Sequence, residues 1–516
     1  MPKPSRKLKE AIVPSHQHNT LVEQIQELTL EPSDPVVFER WVAAAEHIAF
    51  LDRNAQTDEL IVFASGPHFY VRAVSISRDI LFPLNQEELL DWSDNQSEPR
   101  AFYDSESSNP TVWITKDHSS IGSKPIKQTQ QLIFIRHFDG LRGEPSYCEV
   151  LQEYLHLSEI HWRHEHSSFC RFDENGDFDH VVSVTQRTDP SKVTLVSFKR
   201  EPLELYLAAS NSVLLRKFDF TLFRRNQFSS WPDEPETVHL ENSTLFYKQR
   251  IDPGIAGYAK GIQIVHPSRP DQQIFSLQQA KWFGNEEESH VEFEAYDWRN
   301  NRDTFISTDP SATTNYFVAH ENSLPYETSL AFFRPEVLAK YKADSDKYVV
   351  DEASRTISCR NLWELRRFDV NEAGQVHAYI CYLRDIPYEE QLYWRSFNET
   401  RKGNISERAL EHDILGRWQS IPDPLTDVLS VVEKWDQNRV GWWKLRDRSL
   451  PDRVTTPYTP SRHEWAQAFM DFSQLIVEGF VLKAIRRKLD SLEVAYDQEK
   501  SIALLEKLLA AKSLLT

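Results

Sequence analysis

The chain has 516 residues, of which 40% are hydrophobic and 12% aromatic, and its formal net charge is −19 at pH 7. This apolar content supports packed cores and excludes general disorder, and the length predicts about two to four domains. A protein that holds nucleic acid over its whole surface is usually basic. The charge therefore does not support nucleic acid as the main partner, although it leaves a local basic groove open.

The cysteines and the terminal segment indicate a cytoplasmic protein. The four cysteines form no CxxC pair, which predicts free thiols in a reducing compartment. Residues 1–14 carry positive charge without an apolar core, so they do not resemble a secretory signal. No apolar run reaches the length of about 18 residues that a membrane helix needs, so we expect no membrane partner.

In chain order, the first predicted elements form an arm and two domains. Residues 1–33 are predicted to be a flexible N-terminal arm with a short helix. Residues 34–128 are predicted to be a small α+β domain, which opens with a helix because Pro35 follows Asp34. Residues 129–225 are predicted to be an α+β domain. It contains the helix PSYCEVLQEYLHLSEIHWR and a hairpin whose Asn175-Gly176 step indicates a type I′ turn.

The remaining chain predicts a β-rich domain and then helices. Residues 226–418 are predicted to hold a second hairpin at NEAG (residues 371–374) and an aromatic helix, YEEQLYWRSFN. In residues 419–516, apolar side chains recur every three or four positions, which predicts a helical domain. The predicted fold class is α+β, with mixed β-rich domains and interspersed helices followed by an all-helical C-terminal domain.

One histidine-rich stretch predicts either a metal site or an ordinary hairpin. His161, His164, Glu165 and His166 are metal-ligating residue types, and His161 and Glu165 have the i, i+4 spacing of a helical pair. The alternative is a solvated helix end followed by a hairpin. The glycine falls at the fourth position of the calcium-like DENGD stretch instead of the sixth, and turn formation explains its acids. This second interpretation is favoured and requires no cofactor.

The stretch LRDIPYEEQLYWRSFNET, which includes the aromatic helix, carries the densest group of binding residue types, namely Asp385, Glu390, Trp394, Arg395 and Asn398. Glu390, Trp394 and Asn398 follow one another at i, i+4 steps and therefore share one helix face. Such a face grips a nucleic-acid base by stacking on Trp394, or it packs at a domain interface where Arg395 pairs with a carboxylate. The interface interpretation is favoured.

Signatures of known catalytic sites are missing from the sequence. Gly254, Gly257 and Gly261 fit neither a dinucleotide loop nor a triphosphate loop, and they indicate a tight turn into a strand. There is no GxSxG elbow and no cysteine-protease signature. No catalytic residue is assigned, and the sequence favours a protein that is not an enzyme.

The C-terminal helices predict self-association. An apolar stripe covers about four helical turns, and its members are too apolar to face water: Trp465, Phe469, Phe472, Ile476 and Phe480. Either the segment Trp435–Leu445 or a second copy of the chain covers this stripe. A second stripe, Ile502–Leu515, adds apolar surface. We expect a homodimer or larger assembly held through residues 460–516.

The patterns FFRPEVLAKY and FDVNEAGQVHAYICYLRDIPYEEQLYWRSFNE, with EVLQEYLHL and DENGD before them, resemble a group of large uncharacterised bacterial proteins. That group is associated with restriction and phage-defence gene neighbourhoods, and the resemblance covers roughly residues 130–480. Some relatives continue into a helical C-terminus with a HEPN-like Arg…His pair that is not found here, so the resemblance transfers no catalytic residue. It implies a defence setting.

Two functions follow from these observations. The first is a non-catalytic sensor, adaptor or scaffold of bacterial antiviral defence, which acts by self-association or through a phage or host protein. The alternative is a metal-dependent nuclease or hydrolase that uses the cluster around His161 and Glu165.

Overall fold

The computed structural model describes residues 16–93, 100–104, 111–115, 129–136, 147–185, 193–224, 226–231, 235–240, 242–283, 289–417, 424–457 and 462–511. The chain divides into two compact units. The first comprises Met1–Phe172 and Phe178–Glu286, and the second comprises Asp173–Asp177 and Glu287–Thr516.

The first unit alternates strands with short helices. Its helices are α1 His16–Leu28, α2 Pro35–Val42, α3 Ala45–Asn54, α4 Arg78–Leu81, α5 Gln86–Ser93, α6 Gln152–Ser158, α7 Arg200–Ala209 and α8 Asp271–Phe283. Its strands are β1 Glu59–Gly66, β2 Phe69–Ser77, β3 Arg100–Asp104, β4 Thr111–Thr115, β5 Thr129–Gln131, β6 Ile133–Arg136, β7 Tyr147–Val150, β8 His161–Arg163, β9 Ser168–Phe172, β10 Phe178–Thr185, β11 Thr194–Lys199, β12 Ser212–Phe223, β13 Thr237–Leu240, β14 Leu245–Asp252 and β15 Ala256–Val265.

One large sheet dominates the first unit. It has 11 strands in the order β13-β14-β15-β12-β2-β1-β11-β10-β9-β8, with β5 beside β2. Alternate residues of β1 enter different cores. Ile61 packs with residues of α1, α2 and α3, whereas Leu60 and Val62 pack with residues of α6 and α7. The sheet is therefore stabilised by the burial of its apolar side chains beneath helices.

The second unit begins with smaller sheets and ends in helices. Its helices are α9 Ala339–Ala343, α10 Ile380–Arg384, α11 Tyr388–Phe397, α12 Glu407–Ala409, α13 Pro424–Gln437, α14 Leu450–Arg453, α15 Arg462–Ile476, α16 Leu482–Asp490 and α17 Ser501–Ala511, with 3₁₀ turns at Pro310–Ala312, Tyr316–Glu321 and Pro335–Leu338 and a π-helix at Leu410–Ile414. Its strands are β16 Glu292–Asp297, β17 Arg302–Ser307, β18 Leu330–Phe333, β19 Tyr348–Asp351, β20 Thr356–Cys359, β21 Trp363–Arg366, β22 Asp369–Val370, β23 Val376–Tyr379 and β24 Asn398–Glu399.

The part of the second unit that precedes the C-terminal helices contains two sheets. One has the order β17-β16-β18-β23-β22 with β24 beside β18, and the other is the meander β19-β20-β21. Their shared core includes Phe333, Tyr341 and Trp394. The α+β fold class and the helical C-terminal region are confirmed. Among the residues that the structure describes, no helix is long and apolar enough to cross a membrane.

Both predicted hairpins are present, but the predicted type I′ turn is wrong. Gly176 N donates to Asp173 O at 3.0 Å, and Asp173 N donates to Asp177 O at 2.9 Å. Gly176 has φ +78°, whereas Asn175 lies outside the positive-φ region that a type I′ turn also requires there. The loop therefore has three residues and ends in a left-handed glycine. The second hairpin repeats this arrangement with Gly374 at φ +73°.

The long helix predicted from PSYCEVLQEYLHLSEIHWR is wrong. The structure divides this segment into β7, α6 and β8. Helix α6 ends because Glu159 takes a left-handed conformation with φ +54°. Strand β8 then pairs with β9, where His161 lies opposite Cys170. Pairing with the strand that follows it in the chain therefore overrides the local helical pattern.

The two units differ from the five predicted domains. The boundaries predicted at 128/129 and 225/226 both fall within the 11-stranded sheet, and the one at 418/419 falls within the second unit. Residues 16–28 of the predicted arm form α1, which buries Leu21 and Ile25. The ring of His18 binds Ser197 Oγ at 2.5 Å and Thr185 Oγ1 at 2.8 Å. Residues 1–15 lie outside the described residues.

Candidate interaction surfaces

The four predicted metal-ligating residues lie on β8 and on the turn that follows it. His161 is exposed at the start of β8. His164 Nδ1 accepts a hydrogen bond from Trp162 Nε1 at 3.0 Å, and the His166 ring packs on Phe178 with centroids 4.3 Å apart. In the described part of the chain, no group of three or more His, Cys, Asp or Glu residues is placed to hold a metal ion. The metal hypothesis for these residues therefore gains no support from their geometry.

Two members of the aromatic-helix group are buried inside the second unit. Trp394 is 0% exposed and Glu390 is 2% exposed. Trp394 Nε1 donates to Tyr341 Oη at 2.8 Å, and Tyr341 Oη donates to Glu390 Oε2 at 2.7 Å. Lys340 Nζ lies 2.5 Å from Glu390 Oε1 and 4.7 Å from the centre of the Tyr393 ring. Because Trp394 is buried, its geometry gives the stacking hypothesis no support.

The other three members of the group form hydrogen bonds or ion pairs with residues of the second unit. The side chain of Asn398 joins neighbouring strands, because its Nδ2 donates to Glu294 O and Phe332 O at 3.0 Å and its Oδ1 accepts from Glu294 N at 2.7 Å. Arg395 Nη1 donates to Asn398 Oδ1 at 2.7 Å. Asp385 is exposed and pairs with Arg366 at 2.6 Å. These contacts hold α11 and β24 in place.

Part of the predicted C-terminal stripe lies in the core of the helical region. Phe480 is 7% exposed and stacks on Trp442 with ring centroids 6.1 Å apart. Ile476 packs on the same core. The segment Trp435–Leu445 thus covers this end of the stripe, as one of the two predictions has it.

Of the terminal stripe, Leu504 is buried and Ile502 is 61% exposed. Residues 512–516 lie outside the described residues.

The other end of the stripe stays exposed along α15. The exposed fractions are 45% for Trp465, 65% for Phe469, 54% for Met470 and 38% for Phe472. We call these four residues the α15 surface. Of the two carboxylates of this helix, Asp471 turns inward and is 5% exposed, whereas Glu464 in the first turn is half-buried. The helix therefore presents apolar side chains to solvent next to a charged first turn, where Arg462 is exposed.

A second exposed aromatic group, which the sequence did not indicate, lies in the second unit. The rings of Trp298, Tyr316, Phe317 and Tyr326 contact one another, and we call them the aromatic loop surface. Trp298 lies 4.5 Å from Tyr326 and 6.4 Å from Tyr316, measured between ring centroids. Phe317 is 85% exposed, Tyr316 is 63% exposed and Trp298 is 38% exposed.

Hydrogen bonds fix the loop that carries these rings. Arg299 donates to Leu324 O and to Asn322 O, each at 2.6 Å. Thr314 N donates to Pro325 O at 2.9 Å and closes the loop. Because the loop is anchored at its base, the aromatic rings are presented in a defined arrangement. Anchored surface loops that expose large apolar side chains are typical of recognition sites.

A buried charge cluster is the other feature that sequence reasoning missed. Asp413, in the π-helix, accepts two hydrogen bonds from Arg355 at 2.8 and 2.5 Å and a third from Tyr379 Oη at 3.1 Å. Arg408 binds Asp369 at 2.8 and 3.0 Å. Arg355 has φ +60°, and π-helices are rare, so the backbone is unusual on both sides of the cluster.

Burial also fixes the protonation of a neighbouring histidine. Burial lowers the pKa of His377 to about 4, and its Nε2 accepts a hydrogen bond from Ser406 N at 3.1 Å. Ser406 Oγ donates to Asp369 Oδ2 at 2.7 Å. Every carboxylate of the cluster already accepts several hydrogen bonds. The arrangement is suited to holding the π-helix, β22 and β23 together.

No protein-family model matches this chain, and comparisons with curated proteins and with solved structures give no significant match.

Proposed function

We propose that this chain is a sensor or adaptor of bacterial antiviral defence that acts through self-association or through a phage or host protein, and not by turning over a substrate. The observation that supports self-association is the α15 surface. Its residues are Trp465, Phe469, Met470 and Phe472, and their exposed fractions range from 38% to 65%.

Exposure of the α15 surface to water is energetically unfavourable. Asp471 faces inward, where it accepts from Gln467 at 2.9 Å and lies 3.4 Å from Arg453. An aromatic side chain can bury about 150–250 Å², so covering half of one removes roughly 100 Å² from water. At about 25 cal/mol per Å², each such ring contributes roughly 2.5 kcal/mol to association.

A second copy of the chain can bury the α15 surface. In a twofold-symmetric contact the same patch lies on both sides, so the four apolar side chains of the α15 surface can pack against their own copies. The α15 surface offers less than the approximately 800 Å² per partner of a standard interface. We therefore expect neighbouring residues of the C-terminal region to extend the contact.

The defence setting comes from the resemblance over roughly residues 130–480. It is tested by plating phages on bacteria that carry the gene with its natural neighbours, with and without the variant Phe469→Glu. We expect fewer plaques with the wild-type gene and loss of that protection with the variant. Val349→Glu is the matched control, because Val349 is also an exposed apolar residue of the second unit, at 61% exposure. Equal plaque counts with and without the wild-type gene would contradict the proposal.

A further inference from the structure

The aromatic loop surface differs from the α15 surface in the charges around its rings. Between residues 289 and 330 the chain carries seven carboxylates and two arginines. One of these, Arg299, donates to backbone carbonyls of the loop and lies 5.2 Å from the centre of the Tyr326 ring. The other, Arg302, lies 3.9 Å from Asp297. Residues 289–330 are therefore acidic as a segment. Two arginines from outside the segment lie against it, because Arg384 donates to Thr308 O and Thr313 Oγ1 and Arg401 lies 3.8 Å from the centre of the Tyr296 ring.

Specific carboxylates lie close to the rings. Glu327 follows Tyr326, and its Oε1 accepts from Asn315 Nδ2 at 2.5 Å, next to Tyr316. Asp303 is exposed on β17, opposite Tyr296 and near the turn that carries Trp298. A cation above these rings would meet the negative ring faces and a carboxylate together.

We propose that the aromatic loop surface binds a basic peptide segment, rich in lysine or arginine, of a partner protein. Aromatic rings and arginine side chains are enriched at the centres of protein interfaces, and the acidic surroundings select a cationic segment. A nucleic-acid strand would bring its phosphates against the carboxylates. A second copy of the same surface would oppose carboxylate to carboxylate. Charge complementarity therefore favours a basic peptide over both.

The anchored loop also lowers the entropic cost of binding a peptide. Because Arg299 and the bridge between Thr314 and Tyr326 fix the backbone, the rings need little ordering when a peptide binds. The inference rests on the proposed adaptor role, for which it names the class of partner. The two fail separately, since self-association is assigned to α15 and peptide binding to the aromatic loop surface.

The test uses the full chain and three labelled probes in fluorescence anisotropy at low salt. The probes are a twelve-residue alternating Lys-Gly peptide, its Glu-Gly counterpart and a twelve-nucleotide oligo-dT. We expect the Lys-Gly peptide to bind most tightly. The double substitution Tyr316→Ser with Phe317→Ser should weaken its binding about tenfold, because each exposed ring that contacts a cation contributes a factor of roughly two to five. Glu327→Gln keeps an acceptor for Asn315 but should weaken binding about twofold or more.

Val349→Ser is the control, because it removes an apolar side chain that is 61% exposed on β19, outside the loop. It should leave the affinity for the Lys-Gly peptide unchanged. Far-ultraviolet circular dichroism shows whether each variant keeps its fold. Because the side chains of Tyr316 and Phe317 are exposed, we expect the double variant to fold. Equal affinity of the double variant and the wild type for the Lys-Gly peptide would overturn the proposal. Tighter binding of oligo-dT or of the Glu-Gly peptide would also overturn it. Light scattering on the same variants separates this result from any change in self-association.

Discussion

Replacing Asp413 by Asn should destabilise the second unit strongly. The carboxylate of Asp413 accepts two hydrogen bonds from Arg355, whose side chain is 5% exposed. An amide has one acceptor oxygen, and its NH₂ group would face the guanidinium. Breaking a buried ion pair from one side typically costs about 3–5 kcal/mol. Asp369 lies 3.8 Å from Arg355 and offsets part of the loss, so we expect about 3 kcal/mol.

The assay is urea unfolding of the full chain, followed by far-ultraviolet circular dichroism. Asp346→Asn is the matched control, because Asp346 also pairs with an arginine, Arg360, but is 88% exposed. Exposed pairs contribute little to stability, so the control should unfold at the wild-type urea concentration. The Asp413→Asn variant should unfold at a clearly lower concentration. If both variants have the same midpoint, Asp413 does not neutralise Arg355 in the way that the geometry indicates.

Three further predictions concern single buried or constrained positions. Gly176→Val should cost about 1 kcal/mol or more in thermal unfolding, because φ is +78° there, whereas Gly441→Ala, which meets no atom within 4 Å, should cost much less. Gly479→Ala should cost about 1–3 kcal/mol in the same assay, because the new Cβ would lie 2.1 Å from Trp443 Nε1 in the helical core. Burial lowers the pKa of His377 from 6.5 to about 4, so the unfolded chain binds that proton first as the pH falls. The free energy of unfolding should therefore drop by up to about 1.4 kcal/mol per pH unit between pH 6.5 and 4, and His377→Gln should flatten that slope in urea titrations; an unchanged slope would contradict it.

Local signals in the sequence predicted several elements well. Helix α2 begins where Pro35 follows Asp34, and the Asp34 side chain accepts from Val36 N and Val37 N as an N-cap does. The aromatic helix was predicted as well, and the C-terminal helices were predicted from their periodicity. Gly254 has φ +74° in the turn before β15, as its sequence context indicated. These features depend on residues that are close together in the chain.

The errors at the candidate sites depend on residues that are far apart in the chain. The spacing of Glu390, Trp394 and Asn398 predicts a shared helix face, but burial of that face depends on Tyr341, about fifty residues earlier. The charge cluster joins Arg355 to Asp413 across a separation of 58 positions. Neither pairing leaves a periodic pattern.

The aromatic loop surface was missed for a related reason. Its rings come from the turn after β16, from a 3₁₀ turn and from an isolated bridge, so no helix or strand period connects them. The available signal was the short run NYFV, in which large apolar residues follow a turn-forming Asn without alternation. By itself, such a run does not distinguish a buried strand from an exposed loop.

The molar mass of the full chain in solution is the most direct test of self-association through α15. Light scattering coupled to gel filtration, at micromolar concentration, should give twice the chain mass of 60.3 kDa or a larger multiple for the wild type and for Val349→Glu. Phe469→Glu places a charge at the centre of the α15 surface and should shift the mass to that of one chain. A wild-type mass of one chain, or a multiple that persists in Phe469→Glu, would contradict self-association through α15.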